Sequence, residues 1–302
     1  MSREVVSYND DGHVYEFGPN MESVYTAADG ESLTVKTIDS LNKEIQTGDD
    51  LLNSIPEEVN AATGPIAIES AEPGDVLKVE IEDVRVNEDR GRVITAPEFG
   101  LLQDDEEIAH PATQITDVND ETINFDGIDV RIDPVIGTIG VATAEDTIST
   151  LTPHDHGGNL DTTDMTSGTT AYFPVFQEGA MLAMGDSKAA MADGEMCGTG
   201  AEIGTNIDIT VSVISEPEVD IDRPMVDTGS AIKSIASAET MEEAVALANR
   251  DILTLLQADH NMSKTDAYLF SSLVGGLEIS QVVDPLVTVR NAIPAEHLSV
   301  PF

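Results

Sequence analysis

Leu77, Val79 and Ile81 alternate with Lys78, Glu80 and Glu82. That period of two predicts a strand with one face in the core and the other in water. The same design occurs earlier, where Gly30, Leu33, Val35 and Asp39 have the spacing of Gly74, Leu77, Val79 and Asp83, which predicts paired β elements. Two further runs, 135–141 (VIGTIGV) and 207–214 (IDITVSVI), are dense in β-branched residues and read as buried strands. The period changes after a proline-bearing segment at 216–224. Thr240 and Glu243 have capping-box spacing, and Val245, Ala248, Ile252, Leu255 and Leu256 then recur at helical intervals. They predict one helix of about four turns. Ser263 and Asp266 open a second, shorter helix that Gly275-Gly276 should end, after which 277–283 and 287–289 return to strand character. The expectation is a mainly β fold with sandwich- or barrel-like lobes over residues 1–215. An α+β C-terminal portion, 216–302, packs on it.

Composition narrows the partners. The 302 residues include 57 Asp and Glu against 14 Lys and Arg, a formal net charge of −43, while 40% are hydrophobic. The apolar share excludes global disorder. The charge argues against nucleic acid or an anionic membrane, because phosphate binding needs clustered Lys and Arg that are missing here. At low salt such a surface repels itself and opposes the compact state. Salt of about 1 M shortens the Debye length to roughly 3 Å and screens that repulsion, so the chain reads as one from a halophile. Acidic runs such as 103–107 and 220–222 read as solvated surface. The lone Cys197 allows no internal disulfide and no multi-cysteine metal site. Neither residues 1–6 nor any later stretch has the apolar length of a leader or a membrane span, so a cytoplasmic location is expected.

Two glycine-rich segments gather the polar residues capable of chemistry: 154–161 (HDHGGNLD) and 179–199 (GAMLAMGDSKAAMADGEMCGT). Glycine lets the backbone turn tightly, so imidazoles and carboxylates can converge on one point. Without a regular ligand spacing, these donors admit either a divalent-metal site or ordinary turn chemistry. No Gly-x-Ser-x-Gly elbow and no phosphate-cradling loop competes.

At these segments the chain resembles the acetamidase/formamidase family. The family motif HGGN-x-D stands here as residues 156–161, the LPV-like strand as 172–175 (YFPV), and GA-x-x-x-x-GD-x-HAAQGDGE as 179–195, with GTGAE behind it at 198–202. Residues 64–75, 134–141 and 266–284 resemble further family segments in the same order. The resemblance implies the same mainly β architecture and hydrolysis of small linear amides to carboxylate and ammonia. It also implies assistance by a divalent metal, zinc foremost. The chain departs from the pattern where the family His is Lys188 and the family Gln and Gly are Met191 and Ala192. An ammonium with a pKa near about 10.4 cannot stand in for a neutral imidazole ligand.

Under this resemblance His156, Asp161 and Asp186 are the candidate metal ligands, although each Asp also reads as a turn cap beside its glycine. Such a metal would polarise the amide carbonyl and lower the pKa of a bound water toward about 7. Glu195 is the candidate general acid/base, a carboxyl that deprotonates water and protonates the leaving nitrogen. Asp193 and Asn159 are further catalytic candidates, with Asn159 either orienting the amide oxygen or closing a turn. Cys197, near Glu195 and Lys188, offers a thiolate alternative in a motif that is not nitrilase-like. His13, His110, His154, His260 and His297 read as solvent-facing or helix-end residues. The expected partners are a small amide and further copies of the chain, as a homodimer or higher homo-oligomer. The competing expectation is a catalytically weakened relative that binds a small amide-like ligand, motivated by Lys188.

Overall fold

The computed structural model describes residues 3–9 and 12–299; Met1 and Ser2 of the opening segment lie outside the described residues. Among the described residues one sheet has nine strands, in the order Glu4–Ser7, Ser32–Lys36, Thr205–Ile214, Val76–Val86, Thr169–Pro174, Met225–Asp227, Ala231–Ala238, Val287–Pro294 and Gly276–Gln281. A second sheet runs through Gly157–Asn159, Val135–Gly140, Leu182–Lys188, Ala62–Ile68 and His13–Val14, with Tyr25–Ala27 also paired to Ala62–Ile68. The fold is mainly β, as expected.

The period of two explains how these sheets meet. Leu77, Val79 and Ile81 are buried while the residues between them stay partly or fully exposed. Together with Ile207 and Ile209 they pack against Ile66, Ile136 and Leu182 of the second sheet in one apolar core. Each such side chain contributes about 1.5–3 kcal/mol on burial. The two segments of matching spacing flank the same strand: Ser32–Lys36 and Val76–Val86 both pair antiparallel with Thr205–Ile214. Gly30 and Gly74 turn the chain into them with φ of 81° and 99°, which glycine adopts without a Cβ penalty.

Helix α1, Met241–His260, starts where Thr240 Oγ1 accepts the Glu243 N–H at 3.2 Å. Ile252, Leu255 and Leu256 are buried in the core beneath it with Ile232 and Ile293 of neighbouring strands. Its 20 residues exceed the expected length because nothing breaks the helix before Asn261, which ends it in the left-handed conformation at φ 52°. Helix α2, Lys264–Val274, opens at the Ser263 cap and stops at Gly275. No helix among the described residues is long and apolar enough to cross a membrane.

Residue 215, the expected boundary, falls within the span of one continuous sheet, since Thr169–Pro174 pairs with Met225–Asp227. The C-terminal portion also reaches the second glycine-rich segment, where the Gly194 N–H donates to the Ser280 carbonyl at 2.7 Å. That contact brings the tail to the place where the polar residues gather.

Candidate active site

Asp186 and Lys188 are two apart on the Leu182–Lys188 strand and so leave it on one face. Lys188 Nζ is 2.5 Å from Asp186 Oδ2 and 2.5 Å from Asp161 Oδ1, with Glu195 Oε1 at 3.6 Å and Glu202 Oε1 at 4.0 Å. None of these five side chains is more than 2% exposed. Asp161 comes from the turn after Gly157–Asn159, its N–H donating to the Gly137 carbonyl at 3.1 Å. Glu202 faces Lys188 across an isolated antiparallel bridge and accepts from Ser40 Oγ at 2.8 Å and the Gly200 N–H at 2.9 Å. Asp284 enters from the C-terminal portion, where Gln281 Oε1 accepts its N–H at 3.0 Å.

Two glycines make room for this convergence. A Cβ on Gly137 would lie within 2.5 Å of Lys188 Nζ, Asp186 Oδ2 and Asp161 Oδ1, and one on Gly200 would lie 2.5 Å from Lys188 Cγ. The backbone is strained to the same end. Asn60, Asp161, Asp186 and Glu195 have φ of 56°, 40°, 52° and 43°, in the left-handed region. Such residues cost on the order of 1–3 kcal/mol each and cluster at functional sites. All four line one cavity of about 30 Å³. Leu41, Leu52, Ile55, Val59, Ile94, Phe99 and Leu151 supply the apolar part of its lining.

Five carboxyls around one buried ammonium cannot all ionise, because each extra charge lacks water and a partner. Burial, reinforced by neighbouring acids and opposed by Lys188, pushes Asp186, Glu195 and Asp284 well above the usual carboxylate range. Glu202 is raised for the same first reason, with Lys188, Asp186 and Ser40 pulling it back. Burial alone would lower Lys188, but Asp161, Asp186, Glu195 and Glu202 outweigh it and keep the ammonium charged. These carboxyls therefore hold a proton more readily than free acids do.

Asn159 lies in the cavity with both ends of its amide hydrogen-bonded. Its Oδ1 accepts from Thr138 Oγ1 at 2.6 Å and Asn60 Nδ2 at 3.0 Å, and its Nδ2 donates to Asp284 Oδ2 at 2.9 Å. Thus Asn159, Asp161, Asp186 and Glu195 come together. His156 and Asp193 do not. His156 lines a separate cavity with His154 and Phe176 and packs on Phe17 at 4.8 Å between ring centroids. Gly157 and Gly158, with φ of 103° and 81°, turn the chain between His156 and Asn159. Burial drives the His156 imidazole down to about 3, so it is neutral. Asp193 is half exposed and bound to Arg290 Nη2 at 2.7 Å and Thr163 Oγ1 at 2.9 Å. Cys197 donates to the Thr199 carbonyl at 3.3 Å and is absent from the cavity lining. Four lining or adjoining residues escaped the sequence reading. Glu202 and Asp284 stand inside family-like segments, whereas Ser40 and Asn60 carry no local signal.

A catalytic zinc needs several protein donors around an open position. Here Asp161 and Asp186 both aim an oxygen at the Lys188 ammonium, and His156 faces elsewhere. Among the described residues no group of three or more His, Cys, Asp or Glu has metal-holding geometry. The donor set as folded does not fit the ion.

The pattern of the Acetamidase/Formamidase family matches residues 2–151 and 142–296. A formamidase of Methylophilus methylotrophus is 24% identical over 268 residues, which cover 69% of this chain and 66% of that protein. An acetamidase of Mycolicibacterium smegmatis is 42% identical over 79 residues, 26% of this chain and 20% of that protein. The chain thus spans less than two thirds of these curated relatives. Solved structures match end to end. A predicted acetamidase/formamidase from Thermoanaerobacter tengcongensis superposes with a TM-score of 0.93 at 35% identity, covering 99% of each chain. An acetamidase from Bacillus halodurans gives 0.91 at 33% identity over 98% of this chain and 100% of the other. A gamma lactamase from Delftia acidovorans, 19% identical with a TM-score of 0.66 over 97% of this chain and 91% of the other, shares the fold. On the extent of these matches, the chain belongs to the acetamidase/formamidase family.

Proposed function

We propose that the chain hydrolyses the carbon–nitrogen bond of small linear amides, of the formamide and acetamide type, to carboxylate and ammonia. One observation carries this assignment: a small cavity is lined both by apolar side chains and by a cluster of buried carboxyls around Lys188. One water needs about 10–15 Å³ by the same measure, so about 30 Å³ admits a substrate of only a few heavy atoms. Its hydrogen or short alkyl end rests against Leu52, Ile94 and Phe99, and its amide group meets Glu195. Glu195 takes a proton from water as the oxygen attacks the carbonyl carbon. It returns a proton to nitrogen as the C–N bond breaks, releasing ammonia. Its raised pKa suits both transfers. Asn159, tied at both ends, holds Asp284 in place. The names of the related proteins support the same substrate class.

Lys188 at the family His position favours a second reading, a relative that binds amides without turning them over. Ammonia release from formamide, acetamide and propionamide in molar potassium chloride separates the two. Amide binding with no ammonia above the blank would sink the hydrolase assignment. The net charge of −43 supports work in concentrated salt and a halophilic source. The unpaired Cys197 fits a cytoplasmic location. Exposed Leu269, Leu273, Leu277 and Ile279 on α2 and the next strand support assembly into homo-oligomers.

A further inference from the structure

We propose that Lys188 is a built-in cation that stands where a catalytic metal would be held and polarises the amide carbonyl through an N–H of its own. The carbonyl role rests on the amidase assignment; the exclusion of metal does not.

An ammonium has three N–H donors. Two are taken at 2.5 Å by Asp161 and Asp186, while Glu195 at 3.6 Å and Glu202 at 4.0 Å lie beyond hydrogen-bond reach. One N–H is therefore left over on a side chain that lines the cavity. A hydrogen-bond donor aimed where oxyanion charge develops is among the largest contributions an enzyme site makes. As water adds to the carbonyl carbon and passes its proton to Glu195, the new oxyanion is held by Lys188. When the carbonyl re-forms, the C–N bond breaks and nitrogen takes the proton back from Glu195.

The pocket is shaped for the lysine stem. Gly200 leaves space at Lys188 Cγ, and Gly137 leaves space at Nζ and at both Asp oxygens. Lysine also answers the charge problem. Buried carboxyls converging on one point need a cation, and an ammonium and a divalent ion are alternative ways of supplying it. They cannot coexist, because a zinc bound to the same oxygens at about 2.0–2.2 Å would overlap Nζ.

The test uses the full-length protein, its Lys188→Ala variant, which vacates the place, and its Lys188→Met variant, which fills it without charge. Each is stripped with chelator, assayed for metal by elemental analysis, titrated calorimetrically with Zn²⁺ and Mn²⁺, and assayed for ammonia release. The parent should carry no bound divalent metal and keep its rate within about twofold after stripping. Lys188→Ala should take up about one divalent ion per chain at least tenfold more tightly than the parent. Lys188→Met should bind none and lose about 10²-fold or more in kcat, the usual cost of removing an oxyanion donor. A parent that holds about one divalent ion per chain and loses activity with it overturns the proposal. A Lys188→Met variant as active as the parent does so as well. Should Lys188→Ala not fold, the parent's metal content and Lys188→Met decide. If no amide is turned over, the titrations still read the exchange of cations.

Discussion

Gly137 and Lys188 belong to paired strands, and the missing side chain of the first is what lets the ammonium of the second reach Asp161 and Asp186. A methyl on Gly137 would meet all three groups at once. Gly137→Ala should therefore push the cluster apart, lower kcat by about 10²-fold through misplacement of the reacting groups, and cost about 1–3 kcal/mol of stability by overpacking. Parental kinetics in a folded Gly137→Ala protein would remove the cluster from the reaction.

In the proposed reaction Glu195 carries the proton between water and the leaving nitrogen. Glu195→Gln keeps shape and hydrogen-bonding reach but transfers no proton, so kcat should drop by about 10²–10⁴ with the melting temperature preserved. Cys197→Ser, outside the cavity, should leave kcat near the parent value. The reverse order of damage would make the thiol the nucleophile.

Surface charge sets the solvent requirement. With a net charge of −43, the thermal midpoint should climb as potassium chloride rises from roughly 0.1 to 3 M and the Debye length shrinks to about 3 Å or less. A midpoint indifferent to salt would contradict adaptation to brine.

A buried acid on α1 gives a pH dependence of opposite sign to the usual carboxylate. Burial pushes Asp251 up to about 6, although Arg223 opposes it from 2.8 Å, and Asp222 and Asp155 add to the rise. Its folded pKa lies above the unfolded value of about 3.9. The folded state therefore holds the proton more tightly, and this contribution is complete below about pH 4 and lost as pH rises through 6. Asp251→Asn has no proton to lose. Its stability relative to the parent should grow by up to about 3 kcal/mol between pH 4 and 7 in denaturant titrations. A difference that stays constant with pH would refute the shift.

Much of the scaffold is legible in the chain because its signals are local. Leu77, Val79 and Ile81 report a half-buried strand by alternation alone, and Thr240 with Glu243 marks the start of α1 at its true cap. The candidate site was legible only in part. Asp161, Asp186 and Glu195 stand beside glycines that flag tight turns, and they converge. Sequence proximity misleads at His156, because two glycines with positive φ separate it from Asn159 and give it a different cavity. It misleads again at Asp193, two residues from Glu195 yet paired with Arg290 at half exposure. Lys188 reads as a lost imidazole until the distant carboxylates of Asp161 and Glu202 are seen around its ammonium. Ser40 and Asn60 arrive on the long connection between Ser32–Lys36 and Ala62–Ile68, and Asp284 on the short turn between the last two strands, none of which a local period encodes.

Asp284 also bears on the timing of biosynthesis. Its carboxyl meets Asn159, and the strand just before it is bonded to Gly194 beside Glu195. A nascent chain emerges from the ribosome N-terminal end first. The catalytic pocket of a half-made protein accordingly stays unfinished until synthesis has passed residue 284.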